Sequence, residues 1–96
     1  MKVVYHPAVQ RDINAILRYY DKISPRLGDA FWDEFMLFVA AAAQNPARYR
    51  MATPTLRRVN LRRFPHHFLF RDIPGGIRIV ILRHHRSHPQ RGLERR

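Results

Sequence analysis

The stretch IRIVILRH, residues 77–84, decides the fold that this sequence predicts. Most of its side chains are apolar and β-branched on both sides of the strand, which is typical of a central strand in a sheet. The turn signal PGG at 74–76 precedes it, and FPHHFLFRDI at 64–73 predicts the strand before that turn. Residues 55–63, TLRRVNLRR, alternate in part between apolar and polar side chains and predict a further strand.

The N-terminal half predicts one short strand and two helices. KVVYH at 2–6 predicts the strand. A helix over 7–22 follows, because proline suits a first helical turn and apolar side chains then recur every three or four residues. A second helix over 24–44 begins with a capping Ser-Pro pair and ends before Pro46, which disfavours a helical conformation at the residue before it.

The element order β-α-α-β-β-β predicts a single α+β domain over residues 1–96, with two helices packed on a sheet and a short basic tail from about residue 89. The chain has no cysteine, which excludes disulfides and thiolate metal sites. Its first residues lack the apolar segment of a signal peptide, and no apolar run is long enough to span a bilayer. We therefore expect a cytoplasmic protein that does not enter a membrane.

The charge of the chain is concentrated in its C-terminal half. The formal net charge is +11, and residues 48–96 carry thirteen arginines against two acidic residues, whereas the first 47 residues carry five basic and five acidic residues. This segregation favours a polyanionic partner. Arginine, which greatly outnumbers lysine, suits bidentate contacts with phosphate.

The second predicted helix carries more apolar surface than packing on a sheet requires. No charged residue occurs between Glu34 and Arg48, and the apolar side chains form two adjacent stripes. Either both stripes are covered by the core, or one of them remains open for a partner chain or for self-association. The residues predicted to bind a partner are Phe31, Trp32, Phe35, Met36 and Val39.

The central strand ends in a cluster of basic side chains, RHHRSH at 83–88. A metal site is not predicted, because His84 and His88 do not share a helix and no carboxylate is near; no cofactor is expected. Arginine and histidine suit phosphate contact, with a plain solvated strand end as the alternative. The imidazole of His84 also suits protonation of a leaving 5′-oxygen, since RNA supplies its own 2′-hydroxyl nucleophile and an arginine can stabilise the transition state.

Strand alternation predicts which side chains share a surface. The helices require the more apolar face, so Ile77, Ile79 and Ile81 are expected beneath them. Arg78 and His84 are then expected together on the opposite face, in a groove lined by arginines of the neighbouring strand. The predicted catalytic residues of this groove are His84, Arg78 and Arg62, and the predicted nucleic-acid contacts are Arg58, Arg62, Arg63, Arg83, His85 and Arg86.

Taken together, these motifs resemble the RelE/ParE superfamily of toxins from bacterial type II toxin–antitoxin systems. The resemblance implies a helical hairpin packed on a small curled antiparallel sheet, a cognate antitoxin as partner, and one of two activities. RelE-like members cleave mRNA on the ribosome, and ParE-like members inhibit DNA gyrase without cleaving anything. The motifs cover nearly the whole chain: VVYHPAVQRDINAILRYY at 3–20, FWDEF at 31–35, NPARYR at 45–50, RRFPHHFLFR at 62–71 and IVILRHHRSHP at 79–89.

Single residues match the family pattern in part. His84 lies where the family has its C-terminal histidine, and Phe64 with Pro65 matches its FP motif. Phe70 replaces the usual tyrosine, no aromatic residue follows Pro89, and the sheet lysines common in ribosome-dependent nucleases are absent. From the arginine-rich groove and its imidazole we expect metal-independent cleavage of mRNA at the ribosome, with inhibition of DNA gyrase as the alternative.

Overall fold

The computed structural model describes all 96 residues and follows the predicted order of elements. None of its helices combines the length and the apolar character that a membrane span requires. A short 3-10 turn at Pro46–Arg48 follows the second helix. The helices and strands are β1 (Lys2–Tyr5), α1 (Val9–Ile23), α2 (Pro25–Gln44), β2 (Arg57–Asn60), β3 (His66–Ile73) and β4 (Gly76–His84).

The four strands form one sheet in the order β1-β4-β3-β2. Strands β2, β3 and β4 are antiparallel neighbours, and β1 pairs with β4 in parallel, with Val3 opposite Ile77. The predicted α+β class and the helical hairpin on a small sheet are confirmed. The sheet is mixed rather than wholly antiparallel, because the long connection that contains both helices lets the first and last strands run in the same direction.

Helix α1 begins slightly later than predicted, and α2 begins where predicted but without a side-chain cap. Helix α1 begins at Val9 rather than at residue 7, and the ring Nδ1 of His6 accepts a hydrogen bond of 3.0 Å from the amide of Ala8 just before it. Ser24 precedes α2 as predicted, but its side chain makes no capping hydrogen bond. Its carbonyl oxygen instead accepts the amide of Leu27 at 2.9 Å, which satisfies one of the free donors at the helix start.

The main core lies between the helices and one face of the sheet, which we call the helix face. Phe31 and Phe35 of α2 are fully buried there, and the ring of Phe35 meets that of Phe68 edge-on, with centroids 5.6 Å apart. Val39 is 2 % exposed and belongs to the same core. One of the two apolar stripes of α2 is therefore largely buried against the sheet.

A β-bulge in β4 changes which face its later residues occupy. Leu69 pairs with Ile81 and Phe70 pairs with Ile79, so Val80 is an extra residue on β4. Such an insertion reverses the alternation of every side chain beyond it. Ile77, Ile79 and Leu82 accordingly belong to the main core. The prediction that Ile81 lies beneath the helices is wrong.

The opposite face of the sheet, which we call the open face, carries a second, smaller apolar cluster. Leu56, Leu69, Val80 and Ile81 form it, and Leu93 packs against it from the C-terminal segment 85–96. This segment folds back over the sheet at Gly92, where φ is +82°. A Cβ atom at position 92 would lie 2.8 Å from Cγ1 of Ile81, so glycine permits the close approach.

A buried ion pair joins the C-terminal segment to α1. The guanidinium of Arg95 donates to both carboxylate oxygens of Asp12, at 2.6 and 3.1 Å. The same carboxylate accepts the amide of Leu82 at 3.2 Å, and Arg95 donates to the carbonyl oxygen of Val80 at 3.1 Å. The hydrogen bond to Asp12 raises the pKa of Arg95. These contacts supply hydrogen-bond partners to the backbone groups of Val80 and Leu82 on the edge of β4, where β1 has ended. We call them the Asp12–Arg95 latch.

We predict that Asp12→Ala lowers the free energy of unfolding by about 3 kcal/mol, because it leaves a largely buried guanidinium and the Leu82 amide without their acceptor. Urea denaturation followed by circular dichroism measures this change. Asp29→Ala is the matched control: Asp29 is an exposed acid on the other helix without a salt bridge, and its loss is expected to change stability by less than about 0.5 kcal/mol. Equal stabilities of the two variants would contradict the importance of the latch.

Candidate functional site

The two residues predicted to form a catalytic pair lie on opposite faces of the sheet. Arg78 is on the open face, where it and Arg71 donate to the carbonyl oxygen of Arg96 at 3.0 and 3.1 Å. His84 is on the helix face, with its ring edge-on to that of His66 and the centroids 5.1 Å apart. The expected groove containing both is wrong, because the bulge at Val80 reverses the alternation between them.

The open face instead brings together His67, Arg83, His85 and Arg58. The rings of His67 and His85 are nearly parallel, with centroids 5.1 Å apart and an angle of 9° between their planes. Their Nδ1 atoms are 2.9 Å apart, and Nε2 of His67 accepts from Nε of Arg83 at 2.9 Å. Since that Nε2 is an acceptor, the proton of neutral His67 is on Nδ1 and is donated to His85. Arg58 lies 3.4 Å from the same His85 nitrogen.

This cluster holds its imidazoles in the neutral form. Burial, with the positive charges of Arg58 and Arg83, lowers the pKa of His67 to about 3. Burial and Arg58 also lower the pKa of His85. Close to physiological pH, both rings are therefore hydrogen-bonding groups rather than cations, and the positive charge of the cluster is carried by the guanidiniums.

Arg83 has a structural role in the C-terminal segment. It is only 9 % exposed, and its Nη1 donates to the carbonyl oxygens of His88, Pro89 and Arg91 at 3.3, 3.0 and 2.7 Å. Its guanidinium thus fixes the path of the chain after β4. The sequence predicted a nucleic-acid contact at this position, but the side chain lies within the fold.

The remaining predicted arginines are accessible. Arg62 and Arg63 lie in the loop after β2, where their amides donate to the carboxylate of Glu34 at 2.8 and 3.0 Å and leave both side chains in solvent. Arg86 is exposed beyond β4, and its amide donates to Nδ1 of His84 at 2.9 Å. These three guanidiniums are placed to attract a negatively charged partner.

The predicted partner face of α2 divides into buried and exposed residues. Phe31, Phe35 and Val39 are in the core and cannot contact a partner, so that part of the prediction is wrong. Trp32 and Met36 are 41 % and 37 % exposed and, with Tyr5 at the edge strand β1, line a depression of roughly 370 Å³. An apolar surface beside an unpaired strand edge is typical of a protein contact.

Sequence reasoning missed three polar groups that organise this region: Asp12, His66 and His67. Asp12 had a visible signal, since it is an acid adjacent to the apolar stripe of α1. The two histidines had none, because alternation cannot tell which polar residues of a strand are covered by the helices or by the C-terminal segment. No group of three or more His, Cys, Asp or Glu side chains is placed to hold a metal ion.

A comparison with protein-family models matches residues 3–89 to the ParE toxin of the type II toxin–antitoxin system parDE. The match covers both helices and all four strands. No curated protein matches the chain.

Acidification is predicted to destabilise the fold through its buried histidines. Burial lowers the pKa of His66 to about 4, and the pKa of His67 is about 3. Between these values and the unfolded pKa of about 6.5, the unfolded chain binds protons that the folded chain does not. The free energy of unfolding therefore has its full value above pH 6.5. It decreases toward pH 4, by at most about 1.4 kcal/mol per pH unit for each histidine.

Urea midpoints measured at intervals from pH 7.5 to pH 4.5 give this slope. His67→Gln is expected to reduce it, whereas His88→Gln, at an exposed position, is expected to leave it unchanged. A wild-type stability that is flat across this range would refute the prediction.

Proposed function

Since the chain belongs to the ParE toxin family of type II toxin–antitoxin systems, we propose that it inhibits growth by binding DNA gyrase and catalyses no reaction of its own. An antitoxin protein is the partner that this family implies. The observation that carries the proposal is the separation of His84 from Arg78 by the bulge in β4, which leaves the predicted acid and its arginine on different faces.

The state of the histidines further supports a docking role. A general acid must carry a proton at working pH, and the pKa values of His66 and His67 lie well below neutrality. Arg83, which was predicted to contact nucleic acid, instead donates to three carbonyl oxygens of the C-terminal segment. A protein that only binds needs accessible charge and apolar surface, and the chain has both.

Charge supports a target associated with nucleic acid. The net charge is +11, and Arg62, Arg63 and Arg86 are accessible. Such a surface accelerates association with a polyanion and makes binding sensitive to salt. A gyrase–DNA complex offers protein surface and phosphate together.

Cleavage of mRNA is the second candidate, and the pair Arg58–His85 favours it. Both side chains are accessible on the open face, with Nη2 of Arg58 lying 3.4 Å from Nδ1 of His85. RNA brings its own nucleophile, so this pair would have to position a phosphate and stabilise its charge. In that case His85→Ala and Arg58→Ala would each remove most of the cleavage.

Two parallel assays separate these candidates. We expect purified toxin to block supercoiling of relaxed plasmid by gyrase and ATP, and to leave mRNA intact on translating ribosomes. His85→Ala is expected to change gyrase inhibition by less than about threefold, because lost surface contacts contribute little. Cleaved mRNA with unimpaired supercoiling would overturn the proposal in favour of the second candidate.

The antitoxin is proposed to cover the depression lined by Tyr5, Trp32 and Met36. We predict that Trp32→Glu weakens antitoxin binding by at least about tenfold, because it places a charge in an apolar contact and removes an aromatic anchor. Isothermal titration of toxin with antitoxin measures the change. Leu37→Glu is the matched control, since Leu37 is 67 % exposed on the same helix but does not line the depression. Equal losses in both variants would place the antitoxin elsewhere.

A further inference from the structure

The two edges of the sheet are protected to different extents. The outer edge of β2 is covered by the segment before it, since the amide of Arg58 donates to the carbonyl oxygen of Arg50 at 3.0 Å. Met51 forms a further bridge with Arg57 on that side. Strand β1 has no such neighbour on its outer side, because it pairs with β4 only. An uncovered strand edge offers unpaired amides and carbonyl oxygens to another chain.

The outward backbone groups of β1 belong to Val3 and Tyr5. The amides of Lys2 and His6 donate to carbonyl oxygens on the β4 side, at 3.0 and 2.8 Å. Because the backbone groups of successive strand residues point to opposite sides, those of Val3 and Tyr5 point away from the sheet. The strand also lacks the features that usually protect an edge: it has no proline and no bulge, and its only charged residue is Lys2 at its beginning.

This edge is complementary to itself when a second copy of β1 runs antiparallel beside it. With Val4 opposite Val4 of the second copy, each Val3 lies opposite a Tyr5, and each such pair exchanges both of its N–H···O bonds. Every outward backbone group of the two residues is then used. A two-fold axis through the Val4 pair relates the copies, which is the symmetry of most homodimers.

The charge around β1 favours a copy of this chain as the occupant. The depression beside the strand is lined by no Asp, Glu, Lys or Arg. Burial, with the positive charge of Arg78, lowers the pKa of His6, so this ring of the lining is uncharged near neutral pH. The excess positive charge of the chain lies in residues 48–96. Two copies can therefore approach here without placing like charges against each other, whereas an acidic partner gains no charge complementarity.

We propose that β1 pairs with β1 of a second copy, which joins the two sheets and brings together the exposed side chains of Tyr5, Trp32 and Met36 from both copies. A strand of four residues gives a small contact, so the dimer is expected to dissociate with a constant of about 10–100 µM. The dimer covers part of the surface proposed above for the antitoxin, so the two partners exclude each other. Only this exclusion rests on the proposed function.

Analytical ultracentrifugation of the full chain, freed of antitoxin, measures the association. We expect a monomer–dimer equilibrium that becomes about threefold tighter between about 0.1 and 0.5 M NaCl, because salt screens the repulsion between two strongly positive chains. Association through a bound polyanion has the opposite dependence on salt.

Val4→Glu and Val4→Lys test the register. Each variant alone is expected to associate at least about fivefold more weakly than the wild type, because like charges then lie directly opposite each other. A mixture of the two is expected to restore association, since each glutamate then lies opposite a lysine. Tyr19→Glu is the matched control, because Tyr19 is 62 % exposed and does not line the depression beside β1. Thermal melts followed by circular dichroism establish that all variants are folded.

A cross-link tests the same geometry without a change of charge. The chain has no cysteine, so Val4→Cys places a single thiol of each copy at the two-fold axis. The Cα atoms of such a pair lie about 4.5 Å apart, which a disulfide accepts. Mild oxidation is expected to convert Val4→Cys, but not Tyr19→Cys, into a covalent dimer. That dimer is expected to bind antitoxin at least about tenfold more weakly than its reduced form.

Three results would overturn the pairing. They are a chain that remains monomeric at about 0.5 mM, well above the expected constant, a mixture of the charged variants that associates no better than either alone, and equal cross-linking of both cysteine variants. Equal affinities of the covalent dimer and its reduced form for antitoxin would overturn the exclusion and the proposed antitoxin surface, but not the strand pairing.

Discussion

The extra residue in β4 at Val80 determines which side chains of the C-terminal half share a surface. Before it, Ile77 and Ile79 face the helices, and after it Leu82 and His84 do. The insertion turns Ile81 outward, and an outward isoleucine needs cover. Leu93 of the C-terminal segment supplies that cover, and Gly92 allows the approach. The course of the chain after β4 therefore depends on the bulge.

The same region explains why so basic a chain still contains buried charge. Arg83 and Arg95 are both largely inside the fold, and both point their guanidiniums at oxygen atoms. Arg83 is satisfied mainly by carbonyl oxygens, whereas Arg95 has a carboxylate. Buried guanidiniums with complete partners are tolerated, whereas Arg62, Arg63 and Arg86 of this half stay in solvent. Buried arginines thus fix the course of the chain, whereas exposed arginines are available to attract a partner.

Much of the fold could be predicted from the sequence, but the candidate site could not. Helical spacing and the PGG turn gave the order and approximate bounds of the elements. The bulge was not visible, because 79–82 reads IVIL and an apolar run has the same appearance in either register. Because the bulge was not recognised, strand alternation wrongly predicted His84 and Arg78 on the same face of the sheet. The stripe of Trp32 and Met36 was recognised, but its neighbours Phe31 and Phe35 were assigned to a partner, since periodicity alone does not tell a core stripe from an open one.

The parallel pairing of β1 with β4 also governs how the protein can be made. Lys2 pairs with Gly76, and Asp12 with Arg95, so the first strand and the first helix have their partners more than seventy residues further along the chain. During synthesis the N-terminal half leaves the ribosome before these partners exist, and contacts of such long sequence separation form late. The helical hairpin then exposes Phe31 and Phe35, with no sheet to cover them. A nascent chain of this kind acquires its complete binding surfaces only after β4 and the C-terminal segment have emerged. Until then it is an unfolded, aggregation-prone chain without the surfaces of the folded toxin.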